Sequence, residues 1–315
     1  MKKKNKMQIT SNLKNKHIVD SLYATIPHFN PYLNGPVLQT LCGLLFSFRR
    51  PKELKWSYNT TNKSKVLVRF WTYKPDKPED QAIICVPGLS GDVSSHYINQ
   101  IGKKCIQERW TCFVLDKIDI DIGSTQELEM LIEEISKSHK RIVLIGVSLG
   151  GNIVCHYCSQ SNINPSVKLC IPIGNGFNFK IVSSSMHYIW SSILLVGYKK
   201  WLVAKTKLNT LNDKSSKTLW DFNKSLFQTN IDDYLVKTSS HEIIEHAKVP
   251  LFIINSMDDP FFSYKALDNI YNVIDKNDNI FLLTTSIGGH IGWCKDTDNV
   301  SWVFDDVLPT LVKMF

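Results

Sequence analysis

The sequence predicts an α/β fold: a mostly parallel, doubly wound sheet carrying a helical cap insertion. Three observations predict it. The runs AIICV, RIVLIGV, KLCIPI and PLFIIN are almost wholly apolar, as strands buried on both faces of a parallel sheet must be. Helical patterns fill the gaps between such runs, and alternating strand and helix is the mark of a doubly wound sheet. One interval, residues 177–247, breaks the alternation. It has no strong strand and holds ten aromatic residues between Phe177 and Tyr234.

Taken in order, residues 1–26 read as a basic, flexible segment. Lys2, Lys3, Lys4, Lys6, Lys14 and Lys16 lie in an Asn-rich stretch. Such a run is ordinarily solvated. Its other use is weak attraction to an anionic membrane, roughly 1 kcal/mol per basic residue near the surface. Residues 27–315 then read as a single domain. Strands are expected at 65–71 (KVLVRFW), 82–86, 111–115 (TCFVL), 141–147, 168–173, 250–255 and 279–284 (NIFLLT). Helices are expected at 96–108, 125–139, 150–159 and 264–274. Residues 177–247 fall between the KLCIPI and PLFIIN strands, and so form the insertion. Its aromatics either cap the site or pack the insertion's own core.

Composition narrows the function classes. Hydrophobic residues make up 43% and charged residues 21% of the 315, and the formal charge is +8. These are values of an ordinary globular protein. No nucleic-acid-binding motif accompanies the charge and the later lysines are scattered, so nucleic acid is not an expected partner. The eight cysteines show no framework spacing. The early lysines lead into polar MQITSNLKNK rather than an apolar core, so no signal peptide is expected. Both point to a reducing, intracellular compartment, cytoplasmic or at a membrane surface. Cys155 and Cys158 form a C-x-x-C with no second pair to complete a zinc site, and read as small buried helix residues. Neither a metal nor a cofactor is called for. No run reaches the roughly 18 apolar residues of a spanning helix. Residues 37–48 and 186–204 come nearest, the latter interrupted by Lys199 and Lys200. Either could lie on a membrane surface or line an apolar pocket.

The chemistry is expected around LIGVSLGGNIV. Gly146, Ser148 and Gly150 make a G-x-S-x-G, which alone would occur by chance in roughly one chain in ten of this length. A strand precedes it and a helix follows, the context of a nucleophile elbow. The glycines keep Cβ atoms out of a crowded turn, and the helix N-terminus favours developing negative charge. A serine hydroxyl needs a base. His290, in GGH after the last expected strand, is placed to be one. The acid that orients it should follow the preceding strand. There PLFIINSMDDPFF supplies Asp259, before Pro260, with Asp258 as the alternative. An oxyanion hole needs two backbone N–H groups: Leu149, after the serine, and Leu89, in the PGLSG turn.

The motifs PHFNPYLNGPVLQTL, VPGLSG, GVSLGGNI, GNGFNF, DDYLVKTSS, KVPLFIINSMDDPF and LLTTSIGGHIGW resemble the AB hydrolase 4 family of the AB hydrolase superfamily. That group includes α/β-hydrolase-domain-containing proteins 1 to 3, YheT-like esterases of bacteria and plant embryogenesis-associated proteins. The resemblance runs from about residue 27 to the carboxyl terminus. It implies an α/β-hydrolase fold and a serine hydrolase of lipid or short acyl esters. The family's nucleophile, acid and base fall on Ser148, Asp259 and His290, and its oxyanion turn on Leu89. Two departures bear on substrate preference. Pro36 stands where the family has a histidine before LQT, and KIDIDIGS replaces an arginine-glycine turn and a longer connection. The amino-terminal membrane helix of animal members is not seen.

The expected activity is therefore a carboxylic ester hydrolase, with monoacylglycerol or a phospholipid among the substrates that would suit it. Two other uses of the same fold are a non-catalytic lipid- or protein-binding scaffold and an acyltransferase that passes the acyl group to an alcohol.

Overall fold

The computed structural model describes residues 7–12, 15–23, 35–45, 52–63, 66–206, 215–227, 230–295 and 300–315. Its centre is a nine-stranded sheet. The strands are β1 (Met7–Ser11), β2 (Ser57–Lys63), β3 (Val66–Tyr73), β4 (Gln81–Val86), β5 (Thr111–Leu115), β6 (Arg141–Val147), β7 (Val167–Ile173), β8 (Leu251–Ser256) and β9 (Ile280–Thr285). They lie in the order β1-β9-β8-β7-β6-β4-β5-β3-β2. Pairing is parallel from β5 through β4, β6, β7 and β8 to β9, and antiparallel at the two edges.

The central strands are apolar throughout because both faces are covered. Along β6, Val143 and Ile145 point to one side and Ile142 and Leu144 to the other, and all four are fully buried. This is the two-residue period of a strand. On the first side pack α1 (Lys16–Tyr23), α3 (His96–Glu108) and α11 (Leu308–Met314), through Leu22, Ile98, Ile101 and Leu311. On the second pack α4 (Gln126–Ile135), α5 (Leu149–Cys158) and α10 (Asp268–Ile274), through Leu131, Val154 and Ile270.

Two expectations need correction. The amino-terminal segment is not a loose tail along its described length. Met7–Ser11 pairs antiparallel with β9, from Met7 opposite Thr285 to Ser11 opposite Phe281, and Ile9, Ile18 and Leu22 enter the core. The alternation in MQITS is short, and its partner lies some 270 residues away, so no local signal marks it. Of the six early lysines, only Lys16 falls among the described residues. The second correction concerns cysteine. Cys42, on α2 (Pro36–Leu45), is joined to Cys294 by a disulfide across 252 residues. A disulfide is uncommon in a reducing compartment, so the compartment inferred from cysteine spacing loses that support. Cys155 and Cys158 are free and buried. Among the described residues, no helix is long and apolar enough to cross a membrane.

Between β7 and β8 lie α6 (Phe179–Ser185), α7 (Tyr188–Thr206), α8 (Leu219–Phe227) and α9 (Ile231–Thr238). They form two small cores of their own. One gathers Phe179, Val182 and Leu235 with Ile122, and the other gathers Leu195, Tyr198, Leu202, Leu219 and Phe222. Leu149 packs on the first and Leu89 on the second. Asn152, fully buried on α5, donates to Ile122 O at 3.0 Å and Thr238 O at 2.8 Å. These bonds tie the end of the helical segment to the body.

Among the described glycines, the one with least room is at the start of α5, where a Cβ on Gly150 would lie 2.0 Å from the Val86 carbonyl oxygen. Backbone cannot yield there as a side chain could. Gly150→Ala is expected to lower stability by about 1–3 kcal/mol, the usual cost of overpacking. Denaturant unfolding beside the wild type measures it, and an unchanged midpoint would contradict it.

Candidate active site

Ser148 sits between β6 and α5 at φ 54° and ψ −120°. A non-glycine residue with positive φ is uncommon and marks strain, often at a functional site. The neighbouring chain makes the turn possible. A Cβ on Gly146 would meet the Gly150 carbonyl oxygen at 2.3 Å. Both glycines of the G-x-S-x-G are thus required by close backbone approach. Oγ is left at the N-terminus of α5, on the C-terminal side of the parallel strands.

His290 follows β9, and Asp259 follows β8. Asp259 Oδ2 lies 2.7 Å from His290 Nδ1, and His290 Nε2 lies 3.1 Å from Ser148 Oγ. One hydrogen-bonded line therefore runs from carboxylate through imidazole to hydroxyl. Asp259 Oδ1 also accepts from the N–H groups of Phe261 (2.7 Å) and Phe262 (3.1 Å). These bonds hold the carboxylate plane and leave the other oxygen for the histidine. The rings of Phe261 and Phe262 meet His290 edge-on at 4.5 and 5.0 Å, keeping the buried imidazole in apolar surroundings. Asp258 is not beside His290. Its Oδ1 accepts from the Ser256 hydroxyl and, at 2.8 Å, from Gly289 N.

Leu89 and Leu149 also converge here. The turn from Gly88 to Gly91 closes with Gly91 N donating to Gly88 O at 2.9 Å, and Ser90 takes positive φ at 62°. A Cβ on Gly88 would lie 3.0 Å from Ser148 Cβ, so the turn abuts the serine. Among the described residues, no hydrogen bond engages Leu89 N or Leu149 N. Tyr97 supports the turn, its hydroxyl accepting from Gly88 N at 3.1 Å. Burial pushes the Tyr97 phenol up to about 12, so it stays neutral.

Ser148 and His290 open into a cavity. Leu89, Leu149, Phe179, Val182, Leu194, Phe261 and Phe262 make most of its wall apolar. Tyr198 and Trp220 take part both in the wall and in the helical segment's small cores. The two uses weighed for those aromatics are one arrangement.

Several positioning residues escape a reading of the sequence. The His290 loop is strained, with positive φ at Gly289 (56°), Ile291 (64°) and Trp293 (52°). It packs hard on α2: a Cβ on Gly289 would lie 2.5 Å from the Pro36 oxygen, and one on Gly292 would lie 2.3 Å from the Gln39 oxygen. Thr40 Oγ1 accepts from His290 N at 2.8 Å while donating to Pro36 O at 2.7 Å. Gln39 Oε1 accepts from Cys294 N at 2.9 Å, and the Cys42–Cys294 bond closes the same contact. The LQT within VLQTL was the available signal. Its meaning lies some 250 residues downstream.

Fold and site together define a class: the architecture is that of the α/β-hydrolases. No protein-family model matches the chain. Its sequence is similar to monoacylglycerol lipase ABHD2 of Danio rerio, 24% identical in a match that covers 68% of this chain and 58% of that protein. It is similar also to the monoacylglycerol lipase of Saccharomyces cerevisiae, 23% identical in a match that covers 78% of this chain and 63% of that one. The chain thus spans less than two thirds of the length of these curated relatives. Among solved structures, the Pyrococcus furiosus esterase Pf2001 is similar in fold, with a TM-score of 0.56 at 16% identity, covering 84% of this chain and 92% of that chain. These likenesses bear out the resemblance to the AB hydrolase superfamily.

The hold of α2 on the histidine loop has a measurable consequence. Thr40→Val leaves His290 N–H buried without an acceptor, at an expected cost of about 1–3 kcal/mol. Chemical denaturation reads it directly, and a cost near zero would mean that the loop does not depend on Thr40.

Proposed function

We propose that the protein is a carboxylic ester hydrolase of lipid acyl esters, working through Ser148, His290 and Asp259. The observation that carries this reading is the continuous line from Asp259 through His290 to Ser148, ending in a largely apolar cavity. His290 Nε2 takes the Ser148 proton as Oγ attacks the acyl carbonyl carbon. The carbonyl oxygen becomes an oxyanion, received by the N–H groups of Leu89 and Leu149. The bond from carbonyl carbon to alkoxy oxygen then breaks, and the imidazolium returns its proton to the leaving alcohol. Water repeats the sequence on the acyl-enzyme, releasing the acid and restoring Ser148. Asp259 keeps Nδ1 protonated and steadies the imidazolium. The apolar wall supports an acyl chain as the group it buries. The names of the relatives in zebrafish and yeast support monoacylglycerol as the substrate class.

The role given to each aspartate is testable. A fluorophosphonate is expected to label Ser148, and Ser148→Ala to abolish both labelling and p-nitrophenyl ester turnover. Asp259→Asn leaves the ring in the wrong tautomer and is expected to lower kcat by about 10³–10⁴. Asp258→Asn removes only a support of the Gly289 amide, with an expected loss of about tenfold or less. Similar losses in the two asparagine variants would contradict the assignment of the acid.

The same reading gives a place for peripheral membrane contact. Helix α7 is apolar on both sides. Leu194 and Tyr198 line the cavity, whereas Tyr188, Ile189, Ile193 and Val196 are exposed. Lys200, also exposed, is a cation for anionic headgroups. The outer face of α7 would rest on the lipid that supplies the substrate. Wild-type protein is expected to sediment with phosphatidylserine-containing vesicles, and Ile193→Asp with Val196→Asp to lose this by about tenfold or more, given the cost of placing charge against lipid. Turnover of a soluble ester should hold in that variant. Equal sedimentation would contradict the contact.

A further inference from the structure

Two of the residues that line the cavity with Ser148 carry buried polar atoms. Helix α8 contributes Leu219, Trp220 and Asn223 to the cavity. Trp220 and Asn223 stand three residues apart, on one face of the helix. Trp220 Nε1 and Asn223 Oδ1 are buried, and among the described residues neither has a hydrogen-bond partner. Asn223 is only 4% exposed. A buried polar atom left unpaired costs its full desolvation, and folded proteins hold few of them. Here one is a donor and the other an acceptor, and both belong to residues that line the same cavity. A hydroxyl group both accepts and donates, so a hydroxylated ligand satisfies both. A cavity meant for hydrocarbon alone would be better served by leucine and phenylalanine at these positions.

The ester itself indicates which half carries the hydroxyl. In a simple lipid ester the acyl half is hydrocarbon beyond its carbonyl, and free hydroxyls belong to the alcohol half. We propose that Trp220 and Asn223 form a subsite for the free hydroxyls of the alcohol half, which selects acyl esters of a polyol over esters of simple alcohols. Trp220 Nε1–H donates to a hydroxyl oxygen, and Asn223 Oδ1 accepts a hydroxyl proton. A simple alkyl ester leaves both groups unpaired, and a site built around such bonds rejects analogues that lack them. This inference rests on the ester-hydrolase reading and assigns the selectivity of that same site.

The test compares kcat/KM on three substrates sharing one acyl length: a 1-monoacylglycerol, the methyl ester of the same acid, and the methyl ester of a hydroxylated form of that acid. The readout is the ratio of monoacylglycerol to plain methyl ester. Asn223→Leu and Trp220→Phe, each checked for an intact thermal transition, are expected to lower this ratio by about tenfold, the loss of one hydrogen bond. Should Asn223→Leu fail to fold, the gentler Trp220→Phe still decides. A fall of less than threefold in the folded variants overturns the proposal, whatever happens to the absolute rates. So does selective loss on the hydroxylated acyl ester, which would place the subsite on the acyl side. If the wild type cleaves none of the three and Ser148 is not labelled by fluorophosphonate, the hydrolase reading itself fails. If it cleaves them with an unshifted ratio in the variants, only the subsite fails.

Discussion

The site depends on one steric constraint: three stretches of backbone must pass around Ser148 with almost no room between them. The end of β4, the end of β6 and the first turn of α5 converge there. A Cβ on Gly150 would meet Val86 O and one on Gly146 would meet Gly150 O with no space for it, and one on Gly88 would press on Ser148 Cβ. This crowding forces Ser148 to positive φ and sets its hydroxyl at the end of the parallel strands. It also brings Leu89 and Leu149 beside the serine in one cavity. The N-terminus of α5 and the Leu89 turn thus border the serine, and no charged side chain is among the residues lining the cavity beside it apart from His290.

The opposite side of the site is held by different means. The His290 loop gains little from its own conformation, since three of its residues between 289 and 293 have positive φ. Its position comes from outside: Asp258 on Gly289 N, Thr40 on His290 N, Gln39 on Cys294 N, and the Cys42–Cys294 bond. Asp259 then fixes the ring rather than the loop. The two adjacent aspartates divide the labour because successive side chains after β8 point apart. One reaches the backbone of the histidine loop and the other its imidazole.

How much of this was legible follows from where each signal lies. Strands β4, β6, β7, β8 and β9 stand out in the sequence because burial on both faces leaves an unbroken apolar run. Strand β2, SYNTTNK, does not, because an edge strand facing water carries polar residues. Strand β1 is too short, and the partner that explains it is at the far end of the chain. The same division holds in the site. Ser148, Asp259 and His290 each follow a recognisable strand, so local context places them. Gln39, Thr40, Cys42, Tyr97 and Asp258 act through contacts that only the fold creates, and neither the LQT motif nor the paired aspartates reveal those partners. The expectation of a flexible terminus missed strand β1 for the same reason. Lysine and asparagine content describes a segment's solvation, but not the edge it can pair with.

The helical segment between β7 and β8 connects these features. A sheet and its flanking helices leave the end of the strands open to water, where a hydrogen-bonded line ending in a hydroxyl would compete with solvent. Covering that end with Leu194, Tyr198, Phe179 and Val182 removes competing water and strengthens each dipole aimed at Ser148. The same apolar cover makes any polar atom within it expensive. Trp220 Nε1 and Asn223 Oδ1 therefore carry more information than the aromatic residues around them. Hydrophobic lining is what any cap over this fold would supply, so it says little about which ligand is taken. A donor and an acceptor retained in that lining, against the penalty of burial, mark where the wall departs from a generic acyl pocket.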